Sequence, residues 1–242
     1  MLGRITFIIL LIYVFVKRAE FFALYARLQF QKGNTDKAVR WFAVANRLGP
    51  LKAESMMYYG YILLRTGNIR LAEEVLTRAS LKAKKPAVKK RIKSLLSLVV
   101  WKNGDIDSAI EMMEDAISDF KVTSFYQNLG LLYNLKGDNK KALDFNLEAY
   151  DYNPDDLIIS DNLAEAYVLC GETDKAMKQY ETLLEKEPHF PEPYYNFGLL
   201  LIENGEKEKG IDYIKQSLDK RFTFLSVKTK EEVEAILKEK TE

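Results

Sequence analysis

The chain has 242 residues, with 36 Lys/Arg against 35 Asp/Glu, one histidine and one cysteine. That near-neutral balance argues against nucleic acid as the main partner. A single His and a single Cys leave little side-chain chemistry for catalysis, and there is no phosphate-cradling glycine loop, metal-ligand cluster or Ser/His/Asp set, so no catalysis, cofactor or metal is expected.

Ile5 to Val16 is apolar or aromatic at every position but Thr6. Twelve residues fall short of the roughly 20 needed to cross a bilayer, but Met1 to Gly3 extend the run and Arg4, Lys17 and Arg18 can snorkel. No small-residue cleavage site follows, as a signal peptide requires. Residues 1–18 are therefore expected to form an uncleaved membrane anchor, with a helix buried on the end of the fold or a signal peptide as the alternatives. Only Arg4 and the α-amine stand before the segment, while Lys17, Arg18, Arg27, Lys32, Lys37 and Arg40 follow it. The positive-inside rule then favours a cytoplasmic location for the remainder.

From Ala19 onward the chain repeats. Gly33, Gly67, Gly104, Gly137, Gly171 and Gly205 are spaced by 34, 37, 33, 34 and 34 residues. Each has a small residue five positions later (Ala38, Ala72, Ala109, Ala142, Ala176, Gly210) and another seven earlier (Ala26, Gly60, Ser97, Gly130, Ala164, Gly198). In the fourth unit Tyr126, Leu129, Gly130 and Tyr133 form one helical stripe, and Ala142, Phe145 and Ala149 form a second. Gly137 turns between them and Pro154 closes the unit. Each unit is thus a helical hairpin whose small pair lets two backbones approach.

These residues resemble the tetratricopeptide repeat (TPR) family, with its 34-residue pattern of a bulky residue, Leu-Gly, Tyr, then Ala, an aromatic, Ala and Pro. Tyr126 to Tyr133 and Pro193 to Gly198 match well, as do the closing Pro50, Pro154 and Pro188. Lys93 departs at the bulky position, and Lys84 and Lys121 stand for the closing proline. Gly210 and Ser217 replace alanines in the sixth unit, which reads as a weakened end repeat. The resemblance implies an all-α superhelical solenoid of six helix-turn-helix repeats, at about 19–52, 53–86, 90–122, 123–156, 157–190 and 191–222. Thr229-Lys230-Glu231-Glu232 is a capping box, so 223–242 is expected to supply a capping helix that lays Val233, Ile236 and Leu237 on the last repeat.

Charge is split along the chain. Through Gly104 there are 20 Lys/Arg and 5 Asp/Glu; from Asp105 onward there are 16 and 30. Lys17, Arg18, Lys84, Lys85, Lys89, Lys90 and Arg91 are candidate contacts to anionic lipid headgroups, with an ordinary solvated surface as the alternative.

In the TPR family the first helices of the hairpins line the groove that holds partners, and this resemblance implies a protein or peptide ligand here. Alignment on the glycines places Asn128, Asn162 and Asn196 in one row, where the first three units have Leu24, Tyr58 and Leu95. An asparagine row can hold a peptide backbone through a donor and an acceptor at each step, as in the asparagine ladder of sugar-transferase TPRs; the same residues can instead bond the neighbouring helix. Gln127, Asn134, Asp161, Glu165 and Tyr195 are further peptide-binding candidates. With Glu192 and Glu203 they make an acidic groove suited to a basic or neutral segment. No Lys/Arg pair occurs at the positions that grip a terminal carboxylate in chaperone-tail clamps, so that mode is excluded. The expected function is a non-catalytic, membrane-anchored scaffold or adaptor that captures a protein segment. The alternatives are a membrane-organising protein acting through its basic half and an extracytoplasmic chaperone-like protein. His189 and Cys170 are read as a surface residue and a semi-buried packing residue.

Overall fold

A computed structural model describes residues 2–242, with side chains from Lys17 onward. It contains thirteen α-helices and no strand among the described residues. They divide into two compact units, residues 1–99 and 100–242, with the division inside one helix, α5 (Pro86–Lys102).

In the first unit, α1 (Leu2–Gln31) pairs with α2 (Thr35–Leu48), and α3 (Ala53–Arg65) pairs with α4 (Ile69–Lys82). The pairing follows from the turn chemistry. Gly33 has φ +82°, and its N–H bonds the Phe30 carbonyl at 2.9 Å while the Asn34 N–H bonds the Gln29 carbonyl at 2.9 Å. These bonds satisfy the carbonyls left open at a helix end and reverse the chain. The core is apolar and aromatic: Phe42 stacks on Tyr59 at 5.2 Å and Phe22 on Trp41 at 5.2 Å, around buried Ile62, Leu64 and Leu76. Glu20 ties the two hairpins together by accepting from the Lys52 N–H at 2.5 Å and the Ser55 hydroxyl at 2.7 Å.

The second unit takes in the end of α5 (Pro86–Lys102) and then α6 (Ile106–Ser118), α7 (Thr123–Lys136), α8 (Asn139–Tyr152), α9 (Leu157–Leu169), α10 (Thr173–Leu184), α11 (Glu192–Glu203), α12 (Lys207–Ser217) and α13 (Lys230–Thr241). All six glycines of the period have positive φ, between 72° and 98°. After two of them an aspartate caps the next helix: Asp105 accepts from the Ser108 N–H at 3.0 Å and Asp138 from the Lys141 N–H at 3.3 Å. At the far end the capping box forms, with Thr229 Oγ1 accepting from the Glu232 N–H at 3.2 Å and Glu232 Oε2 accepting from the Thr229 N–H at 2.6 Å. Val233 is fully buried against Tyr195 and Ile214.

Gly210, in place of an alanine in the sixth unit, has a local reason: a Cβ on Gly198 would lie 2.6 Å from the Gly210 carbonyl oxygen, and a Cβ on Gly210 would likewise meet the Gly198 carbonyl oxygen. The two helix backbones touch, and an alanine at either place would force them apart.

Among the described residues no helix is long and apolar enough to cross a membrane. The side chains of the expected anchor's apolar run, Ile5 to Val16, lie outside the described residues. Downstream on α1 the side chains are described, and Phe21, Leu24, Tyr25 and Leu28 are all exposed at helical spacing. Lys84, Lys85, Lys89 and Arg91 are exposed, and Lys17, Arg18 and Lys90 half-buried. Lys85 pairs loosely with Glu54 at 3.8 Å.

Candidate functional site: the face of the first helices in the second unit

The row four residues after each small residue of the second helices reads Phe42, Leu76, Met113, Asn146, Tyr180 and Ile214, all with no exposure. Asn146 is the one polar member. It lies against Gly130, where any Cβ would collide with its amide oxygen, and its Nδ2 donates to Asn134 Oδ1 at 2.9 Å and to the Gly130 carbonyl at 3.4 Å. Asn134 Nδ2 in turn donates to the Asn162 carbonyl at 2.8 Å and to Glu165 Oε2 at 3.3 Å. Buried amides with several partners of this kind fix the helices they join.

The join continues along α7 and α9. Asn162 Nδ2 donates to the Gln127 carbonyl at 2.9 Å. Gln127 Nε2 bonds both carboxylate oxygens of Asp156 at 2.9 and 2.8 Å, while Asp156 also accepts from the N–H groups of Ile158 and Ile159 at the start of α9. Of the two roles left open for the asparagine row, Asn162 therefore performs the helix-bonding one. Asn134 and Gln127 serve the same junction. Asn128 and Asn196 are half-buried on the same face, with the Asn196 amide beside the Tyr180 hydroxyl.

The remaining candidates converge elsewhere on that face. Asp161, 5% exposed, leaves its Oδ1 without a hydrogen-bond partner. Burial raises its carboxyl well above the ordinary range, and the nearby Glu165 and Glu192 push it further. Burial also raises Glu165 and Glu192; Asn134 and Lys228 offset this at Glu165, and bonds from Val227 and Ser226, with the charge of Lys102, offset it at Glu192. Tyr195, 1% exposed, adjoins the same acids and its hydroxyl is raised well above its usual value, chiefly by burial. Asp161, Glu165 and Glu192 thus act on one another in a partly dry environment that disfavours their charged forms. Glu203, by contrast, is exposed at the end of α11.

Two residues absent from the sequence reading complete the site. Lys102, at the end of α5, donates from Nζ to the Ser226 carbonyl at 2.9 Å. Lys228 places its Nζ 5.9 Å from the centre of the Tyr195 ring and acts on Glu165. Neither Lys102 nor Lys228 carries a signal in its sequence neighbourhood that points to this face. His189 is exposed and Cys170 is half-buried, its Sγ 3.3 Å from the Asn139 carbonyl. Among the described residues no group of His, Cys, Asp and Glu is arranged to hold a metal ion.

Comparisons with known proteins agree with this architecture. The tetratricopeptide repeat family model matches residues 26–86 and 95–156, and a TPR repeat model matches 164–205. Among solved structures, a thermophilic TPR protein of Thermus thermophilus is 17% identical with a TM-score of 0.64, covering 78% of this chain and 98% of its own. The APC/C hetero-tetramer Cut9–Hcn1 is 15% identical with a TM-score of 0.73 over 93% of this chain, which matches 43% of the length of that one. The pilF protein of Pseudomonas aeruginosa is 14% identical, with a TM-score of 0.62 over 82% of this chain and 89% of its own. No curated protein sequence matches. At such identities the structures speak for the fold, and the family models carry the assignment: the chain belongs to the tetratricopeptide repeat family.

Proposed function

We propose that the protein is a non-catalytic scaffold that holds an extended segment of a partner protein against the first helices of its second unit. The observation that carries this reading is the acid cluster of Asp161, Glu165 and Glu192, with the buried Asp161 Oδ1 left unpartnered. A buried polar atom without a partner is costly in a finished fold and natural in a receptor. Asn196, half-buried beside Tyr180 next to these acids, is a candidate contact to a bound backbone, and Asn128 stands in the same row on α7. A pull-down from detergent extracts tests the reading: the variant Asn128→Ala/Glu165→Gln/Asn196→Ala, shown folded by circular dichroism, is expected to lose a partner that the wild type retains. A partner retained equally moves function away from this face.

The proposal includes a tether through the N-terminal segment, with the repeats on the cytoplasmic side. The exposed stripe of Phe21, Leu24, Tyr25 and Leu28 supports it, because it prolongs the Ile5–Val16 run along the same helix. The exposed lysines and arginine around α5, beside Leu81 at 85% exposure, suit an anionic headgroup layer. Carbonate extraction of membranes tests the tether: release into the soluble fraction overturns it. For topology, labelling of Cys170 by an impermeant thiol reagent in intact cells would place the repeats outside the cytoplasm.

A further inference from the structure

The connection between α12 and α13 is not a simple surface loop. It is held at one end by the Arg221 N–H, which bonds the His189 carbonyl at 3.0 Å, and by Phe222, which packs with Val233 and Ile214. Next, Thr223 and Ser226 close a small turn, with the Ser226 N–H on the Thr223 carbonyl at 3.0 Å and the Leu225 N–H on Thr223 Oγ1 at 3.2 Å. The chain then runs across the face of the first helices. Lys102 of α5 takes the Ser226 carbonyl, and its Nζ stands 5.3 Å from the Phe224 ring. Glu192 Oε1 of α11 takes the Val227 N–H at 3.2 Å. Lys228 lies over Tyr195 and acts on Glu165. One backbone carbonyl, one backbone N–H, one aromatic ring and one ammonium are therefore each met by a side chain of the first helices. Those are the contacts by which an extended peptide is recognised.

We propose that Thr223–Lys228 is a built-in occupant of the partner site, and that the partner displaces it with an extended segment of the same chemistry, an aromatic residue followed by a lysine or arginine that enters the Asp161–Glu165–Glu192 cluster. The inference deepens the scaffold reading and rests on it. The unmet group fixes the class of partner: Lys102 acts on Glu192 and Lys228 on Glu165, while Asp161 Oδ1 remains unpartnered even with the segment in place. A partner that satisfies that atom gains what the internal segment does not supply. Tethering gives the internal segment a high effective concentration, so the apparent affinity for any partner is reduced by the fraction of time the site is open.

The test uses the full chain and a fluorescent synthetic peptide, Arg-Phe-Thr-Phe-Leu-Ser-Val-Lys-Thr-Lys, which copies residues 221–230. A control peptide has both lysines replaced by glutamine. Binding is read by anisotropy in detergent. Phe224→Ala/Lys228→Ala, which weakens the internal segment and leaves the acids intact, is expected to bind the peptide about tenfold more tightly than wild type, in line with a larger open fraction. Adding Asp161→Asn and Glu192→Gln to that variant is expected to abolish the gain. Trp101, whose neighbour Lys102 holds the segment, reports displacement in a Trp41→Phe background. Its emission should shift on peptide addition to the wild type and lie already shifted in the loosened variant.

If the peptide binds wild type and loosened variant equally, and binding is lost with the acids, the site stands and displacement is overturned. If the glutamine peptide binds as well as the lysine peptide, the cationic class is overturned. If neither protein binds the peptide, the inference falls, while the pull-down with the asparagine and Glu165 variant still decides whether this face holds a different partner. Melting curves of each variant exclude loss of fold as the cause.

Discussion

The two units solve the same packing problem with different materials. In the first, the hairpin crossings are filled by Phe42, Tyr59 and Leu76, and the buried polar side chains are Gln29, Ser94 and Ser97. In the second, Asn134, Asn146, Ser160, Asp161, Asn162 and Ser217 are buried, and three of these amides lie in one connected junction. Apolar filling is tolerant of small changes in shape, whereas a hydrogen-bonded junction sets one register and penalises any loss. The unit that carries the candidate binding face is therefore the one whose helices are located by directional bonds.

Glycine substitution should separate the two most widely. Gly198→Ala sets a Cβ against the Gly210 backbone, and is expected to cost about 3 kcal/mol, the upper range for overpacking. Gly60→Ala meets the Leu76 side chain at 2.5 Å, which can rotate, so about 1–2 kcal/mol is expected. Urea denaturation checks the order; equal losses would show that both crossings relax alike. Next, Asn146→Leu restores the apolar row but strands Asn134 Oδ1, at about 1–3 kcal/mol. The double variant Asn134→Leu/Asn146→Leu should lose more still, because it also removes the donor to the Asn162 carbonyl and Glu165 Oε2.

A smaller effect has the opposite sign. Asp161, Glu165 and Glu192 have folded-state pKa values raised by burial, with Lys102, Lys228 and the Asn134 amide facing them. A raised carboxyl binds its proton more tightly in the native state, so stability falls as pH rises from the unfolded value near 4 through the folded one. Asp161→Asn should therefore stabilise the chain at neutral pH, by about 1 kcal/mol, and flatten the slope of Tm against pH above about 4. Glu114 and Glu148 behave conversely: bonds from Lys141 and Tyr133, and from Lys121 and Tyr126, hold them low. Their contribution is present above the unfolded value and is lost as pH falls through the folded one, so the two trends occupy different windows. A Tm independent of pH above about 5 in the wild type would remove this account of Asp161. The smallest effect expected is from Thr229→Ala, about 1 kcal/mol or less from loss of the α13 cap, read by thermal melts.

Much of the architecture was legible because helix periodicity and the positive φ at glycine are local properties. The capping box at Thr229 and Glu232 could likewise be read from four consecutive residues. What was missed is non-local or comparative. Asn146 stands out only when the second helices are aligned with one another, which places it among Phe42, Leu76, Met113, Tyr180 and Ile214. The reason for Gly210 is hidden from a comparison with the alanines in its own column, because it lies in Gly198, the residue it crosses. Asn162 could be placed in its row but not assigned a role, since the Gln127 carbonyl it bonds becomes a partner only when α7 and α9 lie side by side. Lys102 and Ser226 are 124 residues apart, and no pattern in either neighbourhood announces the other.

That last bond alters how the second unit should come apart. A row of repeats touching only their neighbours frays from its ends, each repeat adding its own increment of cooperativity. Here the Lys102–Ser226 bond ties the third repeat to the chain beyond the sixth, and the Val227–Glu192 bond fastens the same stretch to α11. The terminal hairpin cannot peel away while that clasp holds, so the second unit should melt as one block. Displacing the clasp would return it to gradual, end-first unfolding.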